Sequence, residues 1–501
     1  MPNAQEQPVV QPGLQSNAIG FVDAVSIGLN ATSPAYSLAA VLGPIVLLVG
    51  VAAPGILFAS FIPMLLIASA FYFLNRADAD CGTTFSWVTR AMGPWLGWMG
   101  GWAIAMTGVL VVGSLADVAI RFLLLMFGQD ELAANNTLVM GLAIALIVFM
   151  TWICVSGTEV SGRLQTVLNF AQVIALLIFI SVAIYKGATG QGLPGAQSPT
   201  LEWLNPFASG SAGLSAGLLL GVFAYWGWES AVNLNEETTD SASTPGKAAI
   251  LSTFILLITY VGTAIAVLML VGPAFLAERA DEEEMILAVI APEALGGFSW
   301  IVLAAVALSA IAATQTTIIP ASRTALSMAR RAAIPSYFGR ISAKHRTPAV
   351  STWWVAIIAI VWYVGVRSIS DNALFDSLTA LSLLIAFYYA LTGFACAIYY
   401  RKMLFRSVRG FFLIGVGPVT GAIMLIWLLG LSVIDMSNPE NSYGGVSWFG
   451  VGPPLVIAIF LFVLGAIFMV MSRLAKTVFW QEKPSVVDPD LVPISEGGVE
   501  Q

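Results

Sequence analysis

Histidine is almost absent from this chain: its 501 residues hold one, His345, in a basic loop. Cysteine is scarce too; Cys81, Cys154 and Cys396 are widely spaced and form no CxxC pair. These shortages argue against a metal centre, a disulfide framework and a histidine-dependent catalytic site. Charged residues make up 10% of the chain, against roughly 25% in soluble domains. There is no basic stripe of the kind that binds nucleic acid, and no run of short alternating segments that would build a β-barrel. Residues 1–17 lack Lys and Arg and carry Pro and Gln, so they read as a disordered tail and not as a secretory signal. Residues 475–501 read the same way, with Pro484, Pro489 and Pro493 among acidic and small residues.

What the chain has in abundance is apolar sequence. Hydrophobic residues reach 58%, in recurring runs of 18 or more, which defines an all-α polytopic membrane protein. Twelve spans are expected, near 18–46, 53–75, 94–127, 136–156, 164–186, 211–235, 248–272, 296–330, 348–366, 372–400, 411–434 and 448–473. With the N-terminus inside, 17 of the 21 Lys and Arg fall on the inner side. Only Lys186, Arg279 and Arg367 fall outside, and Arg121 lies within a span. That bias predicts both termini in the cytoplasm of a multi-pass plasma-membrane protein. The short loop 76–93 is mildly amphipathic and is expected along the inner interface.

Two spans carry weak points. Span six reads Phe223-Ala224-Tyr225-Trp226-Gly227-Trp228-Glu229-Ser230. A glutamate at that depth is expensive and marks a functional site, and Gly227 beside it lowers helix propensity. Span one reads Asn30-Ala31-Thr32-Ser33-Pro34-Ala35-Tyr36, and Pro34 removes a backbone donor and pushes Ser33 out of the α region. Each alone fits a packing glycine or a proline kink. As a pair they fall in spans one and six, five steps apart, so the second runs opposite to the first. That is the signature of an inverted repeat with a solute site at the bilayer midplane.

Several motifs together resemble the amino acid–polyamine–organocation permeases over residues 18–475. Gly227 to Ala231 is followed by Asn235-Glu236-Glu237 and Pro245. Arg323 to Pro335 is followed by Thr347-Pro348, and Gly97 to Gly101-Trp102 opens span three. The resemblance implies a LeuT-type fold: 5+5 spans in inverted repeat, helices 1 and 6 broken, then two extra helices. Repeat one would cover about 18–186, repeat two about 211–400 and the extra helices 411–474. It also implies secondary active transport by alternating access. The chain departs from the pattern in two places. Thr32-Ser33-Pro34 replaces a glycine-serine-glycine break whose amides hold a substrate carboxylate, and Gln172 stands where proton-coupled members often carry lysine.

The expected substrate residues are Ala31, Thr32, Ser33, Phe223, Trp226, Gly227 and Glu229, with Phe223 as an aromatic gate. Glu229 is also the first candidate for coupling; the alternative is a glutamate satisfied by neighbouring helices. Gating or coupling candidates are Asp23, Asp117, Arg121, Gln172 and Thr314. Asp117 and Arg121 share a helix face four residues apart, as an outer gate or a local ion pair. Asp23 could close the inner gate on Arg90 or Arg163. Thr314 belongs to a polar cluster in span eight, suited to sodium or to bonding its own backbone. The expected partners are an amino acid or amine substrate, H+ or Na+, and the lipid bilayer, with no cofactor. An amino acid permease driven by protons leads; the alternatives are an amine or polyamine importer with a putrescine- or GABA-like substrate, or a sodium-coupled or exchange mechanism.

Overall fold

A computed structural model describes residues 13–208, 210, 213–279, 285–369, 371–442 and 445–487. Among these the backbone is helical, without strands; the only bridges pair Ile19 with Thr238 and Trp448 with Val451. The first helices are α1 (Phe21–Thr32), α2 (Pro34–Val49), α3 (Ala53–Ala77), α4 (Thr84–Met92), α5 (Pro94–Met126) and α6 (Asp130–Ala134). Next come α7 (Asn136–Ser156), α8 (Thr158–Ala188), α9 (Leu214–Ala224), a 3-10 stretch Trp228–Glu237, α10 (Thr244–Leu270), α11 (Gly272–Ala277) and α12 (Ile286–Leu295). The last are α13 (Trp300–Arg330), α14 (Ala349–Ile369), α15 (Asp371–Tyr399), α16 (Val408–Gly410), α17 (Gly417–Ser437) and α18 (Pro453–Leu474).

Ten segments among the described residues are long and apolar enough to cross a membrane, fewer than the twelve expected. The difference is local. Residues 21–77 count as one run because only Ser33 and a 3-10 turn at 50–52 separate α1, α2 and α3. The expected span near 211–235 is split into α9 and the 3-10 stretch, neither long enough alone.

The helices are built inside out. On α8, Val167, Phe170, Ile174 and Ile178 are exposed at helical spacing, while Gln165, Asn169, Gln172, Leu176 and Phe179 are buried. An apolar stripe facing outward and amides facing inward suit a hydrocarbon solvent. At the centre α13 lies close against α5: a Cβ on Gly108 would sit 3.0 Å from the Ala321 methyl and 3.1 Å from the Thr317 carbonyl oxygen. Small residues at such a crossing let two backbones approach.

Loops sort to two ends. At the basic end, Ala18 and Ile19 donate backbone N–H groups to Glu237 O, and Arg346 donates to the carbonyls of Gly13 and Leu14. At the opposite end Arg121 and Arg367 meet at Asn136, and Lys186 reaches Glu293 O.

Two expectations at the basic end are corrected. Loop 76–93 does not lie on the interface: Cys81 to Thr89 are buried, and α4 packs against α5 and α15. Its apolar face finds protein: Phe85 stacks on Phe479 and Trp87 meets Phe71 edge-on, with ring centroids 5.5 and 5.3 Å apart. The C-terminal tail does not begin at 475, since Phe479, Trp480 and Val487 are buried against the helices. Residues 1–12 and 488–501 of the expected tails lie outside the described residues.

Candidate functional site

The first helix break is at Ser33, held in the left-handed region (φ 54°, ψ 65°), with Pro34 starting α2. Proline fits a first helical turn, where no N–H is needed. Ser33 N–H bonds Leu29 O at 2.9 Å, and the Ser37 hydroxyl donates to Thr32 O at 2.7 Å. Thr32 Oγ1 donates to Gly28 O, and the Ser33 and Ser309 hydroxyls pair at 2.9 Å. The second break follows Ala224, whose carbonyl accepts from the Tyr260 hydroxyl at 2.6 Å. Gly227 there has φ +123°. A Cβ at Gly227 would lie 2.5 Å from Ala31 O and 2.8 Å from Thr32 N. The two breaks therefore abut, backbone on backbone, and only glycine meets both demands.

Glu229 is buried just beyond this contact, 4% exposed. Its Oε2 accepts from Gly227 N–H at 3.2 Å and from the Tyr389 hydroxyl; its Oε1 accepts from the Tyr388 hydroxyl. Trp226 Nε1–H donates to the same Tyr388 oxygen. Trp228 stacks on Tyr389 with ring centroids 5.4 Å apart. Neither tyrosine was anticipated; the available signal was two adjacent phenols inside an apolar span, which need partners when buried. A cavity of about 10 Å³, room for about one water, is lined by Ala31, Ile104, Thr107, Trp226, Gly227, Glu229, Ser230, Thr317 and Tyr388, with Gly108 and Pro320. Its one carboxyl side chain is Glu229. Thr32 and Ser33 adjoin it through the break without lining it.

A larger cavity, about 300 Å³, lies toward the opposite end and is lined by Tyr36, Ser114, Asp117, Arg121, Phe223 and Arg367 among others. Phe223 thus faces this vestibule while Trp226 faces the inner pocket. Asp117 accepts from Arg121 Nε and from the Tyr363 hydroxyl, each at 2.6 Å, with Arg367 at 3.9 Å. Arg121 also donates to Ala133 O and Asn136 Oδ1, both at 2.7 Å.

The basic end is sealed. Arg323 donates twice to Glu237, at 3.1 Å each, and both side chains are buried; Thr158 Oγ1 donates to the same carboxylate. Arg330 pairs with Glu236 at 2.8 Å and Arg331 with Asp80 at 3.5 Å. The span-six and post-span-eight motifs singled out from the sequence are thus in direct contact. Burial pushes the Asp78 carboxyl up to about 6 against the pull of Arg90, 2.8 Å away. Burial opposes ionisation of Asp80 as well, but Arg331, the Ser327 hydroxyl and Gly82 N–H hold its carboxyl below the ordinary value. Asp80, Cys81 and Glu236 bring one ligand atom each within 4.8 Å of one another. Both carboxylates already face arginines, and burial pushes the Cys81 thiol up, so the trio suits no metal.

Asp23 does not meet either arginine. Arg90 pairs with Asp78 and Arg163 with Glu159, while Asp23 accepts from the Thr166 hydroxyl at 2.6 Å and Gly20 N–H at 3.3 Å. Each arginine is taken up by a carboxylate close to it in sequence. Gln172 donates to Asn30 Oδ1. Asn30 in turn donates to Gln165, Gln165 to Gln315 and Gln315 to Ser161, each at 2.6 Å. This neutral chain ties α1, α8 and α13 together. Thr314 stays outside it, its hydroxyl bonding Ala310 O at 2.8 Å.

Membrane-length helices, with two breaks closing on one polar pocket, define a class: a multi-pass membrane transporter. The family model described as "Amino acid permease" matches residues 19–480. The chain belongs to that amino acid permease family. It is 25% identical over 427 residues to the human "Asc-type amino acid transporter 1", covering 83% of this chain and 73% of that protein. It is 24% identical over 357 residues to the "Branched-chain amino acid permease BcaP" of Lactococcus lactis, covering 68% and 74%. An uncharacterized transporter of Mycobacterium tuberculosis is 27% identical over 334 residues, 66% of this chain and 70% of that one. The family makes the protein a transporter and not an enzyme, in the amino acid permease group of the larger superfamily.

Proposed function

We propose that this protein carries amino acids across the plasma membrane by alternating access, with the solute held where the two helix breaks meet. The observation that supports this most directly is the backbone contact of Gly227 with Ala31 and Thr32, beside a buried carboxylate. In this reading the fold is LeuT-type with twelve spans. α1 with α2 forms span one, and α9 with the 3-10 stretch forms span six. Repeat one covers about 18–186, repeat two about 211–400, and the extra helices 411–474. The basic end and both termini face the cytoplasm, by the positive-inside rule. The vestibule then opens outward above Phe223, and the Glu237–Arg323 contact closes the inside.

Ala31, Thr32, Ser33, Phe223, Trp226, Gly227 and Glu229 form or frame the path of the substrate. Its ammonium group displaces phenol donors at Glu229, and a proton that this carboxyl carries inward together with the solute couples transport to H+. Gln172 cannot titrate, and its neutral partners leave Glu229 as the coupling group. Asp117 with Arg121 guards the outer mouth. Asp23 steadies the inner end of α1 through Thr166, and Thr314 supports span eight through its own backbone.

A second reading, an amine or polyamine importer, draws on the pocket having one carboxylate and no cationic side chain among its lining residues. Uptake into proteoliposomes separates the two. A panel of amino acids, γ-aminobutyrate and putrescine is offered with and without pH and sodium gradients. The expected result is proton-driven uptake of amino acids, with pH dependence lost in Glu229→Gln. Uptake of no amino acid overturns the first reading, and unchanged pH dependence in Glu229→Gln removes the coupling role.

A further inference from the structure

The segment after α18 is the place where composition and structure diverge most. Residues 475–487 contain Lys476, Glu482, Lys483 and Pro484, a solvated tail by composition. Yet Phe479 is fully buried and stacks on Phe85 of α4, ring centroids 5.5 Å apart at 27°. Trp480 packs on Trp95 at 5.0 Å and donates its indole N–H to the Ser472 hydroxyl at 3.1 Å. Further on, Ser485 N–H bonds Arg90 O at 2.6 Å and Val487 N–H bonds Tyr399 O at 3.0 Å. Those two carbonyls belong to the last turns of α4 and α15, which have no partner within their own helices. The segment therefore caps two helix ends and fills an aromatic groove formed by α4, α5 and α18.

Its charge reaches the seal. Arg331 is shared: one guanidinium nitrogen meets Glu482 at 3.2 Å and another meets Asp80 at 3.5 Å. Loop 78–83 is in turn tied to the broken sixth helix. Asn235 donates to Asp80 O and Asn233 to Cys81 O, both at 3.1 Å, and Cys81 N–H bonds Glu236 at 3.1 Å. On the alternating-access reading proposed above, on which this inference rests, opening the basic end parts residues 228–237 from this loop. We propose that residues 478–487 are a brace that holds the basic end closed, acting through Glu482, Arg331 and the Asp80 loop, so that their release favours opening.

Native cysteines report the outcome. Cys81 is fully buried within this loop, Cys154 is buried beside the Glu237–Arg323 contact, and Cys396 is buried one turn before the Tyr399 carbonyl that Val487 caps. Purified protein, full length or ending after Thr477, is alkylated with N-ethylmaleimide and each cysteine is followed by peptide mass spectrometry. The truncated chain is expected to react at least about tenfold faster at Cys81, because reactivity tracks the open population. Cys154, beside the Glu237–Arg323 contact, is expected to speed up with Cys81, and Cys396 keeps its rate in Glu482→Gln, where Val487 still caps Tyr399. Glu482→Gln, which removes one half-exposed ion pair, is expected to give about two- to threefold. If Cys81 is unchanged, or if Cys396 speeds up as much as Cys81 in Glu482→Gln, as in general loosening of the fold, the brace is overturned.

Discussion

Replacing Gly227 with alanine puts the central contact of the site to a quantitative test. Two costs arise, and they can be separated. The backbone there has φ +123°, where an L side chain is strained by about 1–2 kcal/mol. The added methyl would also meet Ala31 O at 2.5 Å and Thr32 N at 2.8 Å, both backbone atoms that cannot swing aside. Overpacking of that kind costs about 1–3 kcal/mol. The sum, about 2–5 kcal/mol, falls on the conformation in which the breaks abut, and corresponds to roughly 30- to 5,000-fold in an equilibrium. Gly128→Ala supplies the control: its φ is +67°, and nothing lies within 4 Å of the added atom. It carries a backbone cost no larger than that at Gly227, since φ +67° is nearer the left-handed well, and it carries no overlap. Denaturant unfolding in mixed micelles and uptake in proteoliposomes are measured for both. Gly227→Ala is expected to lose more stability than Gly128→Ala by about 1–3 kcal/mol and to lose most transport. Equal losses in the two variants, with transport retained, would refute the idea that the breaks are in contact.

Two further perturbations follow from buried polar groups. Arg323→Met leaves Glu237 fully buried without its cation, at a cost of about 3–5 kcal/mol, and Arg323→Met with Glu237→Leu recovers most of it. Equilibrium unfolding of the three proteins checks this, and a single variant as stable as the parent contradicts it. Tyr388→Phe removes a donor from Glu229 and the acceptor of Trp226 Nε1–H, whereas Tyr389→Phe removes one donor and leaves Gly227 N–H on the same oxygen. The first is therefore expected to cost more than the second, each about 1–3 kcal/mol; the reverse order by the same measurement argues against the network.

What could be read along the chain was what depends on neighbours in sequence. Hydropathy over twenty residues marks a helix that must bury its own backbone, whatever it packs against. Pro34 and Gly227 carry their backbone restrictions with them, so the positions of the two breaks were legible as residue types. Partners were not. Glu229 is held by tyrosines 159 and 160 positions away, Asn30 by Gln165, and Glu237 by Arg323, because a buried polar group takes whatever the fold brings within 3 Å. Asp23 went wrong for the same reason: charge alone suggested arginine, and packing supplied Thr166. The C-terminal segment shows the converse. Phe479 and Trp480 are too few to mark a core in a polar stretch, and only the groove between α4, α5 and α18 decides that they are buried. Composition and local backbone chemistry thus determined a helical membrane protein with two broken helices. Tertiary structure decided that the breaks touch, which groups satisfy the carboxylate between them, and what seals the end beyond.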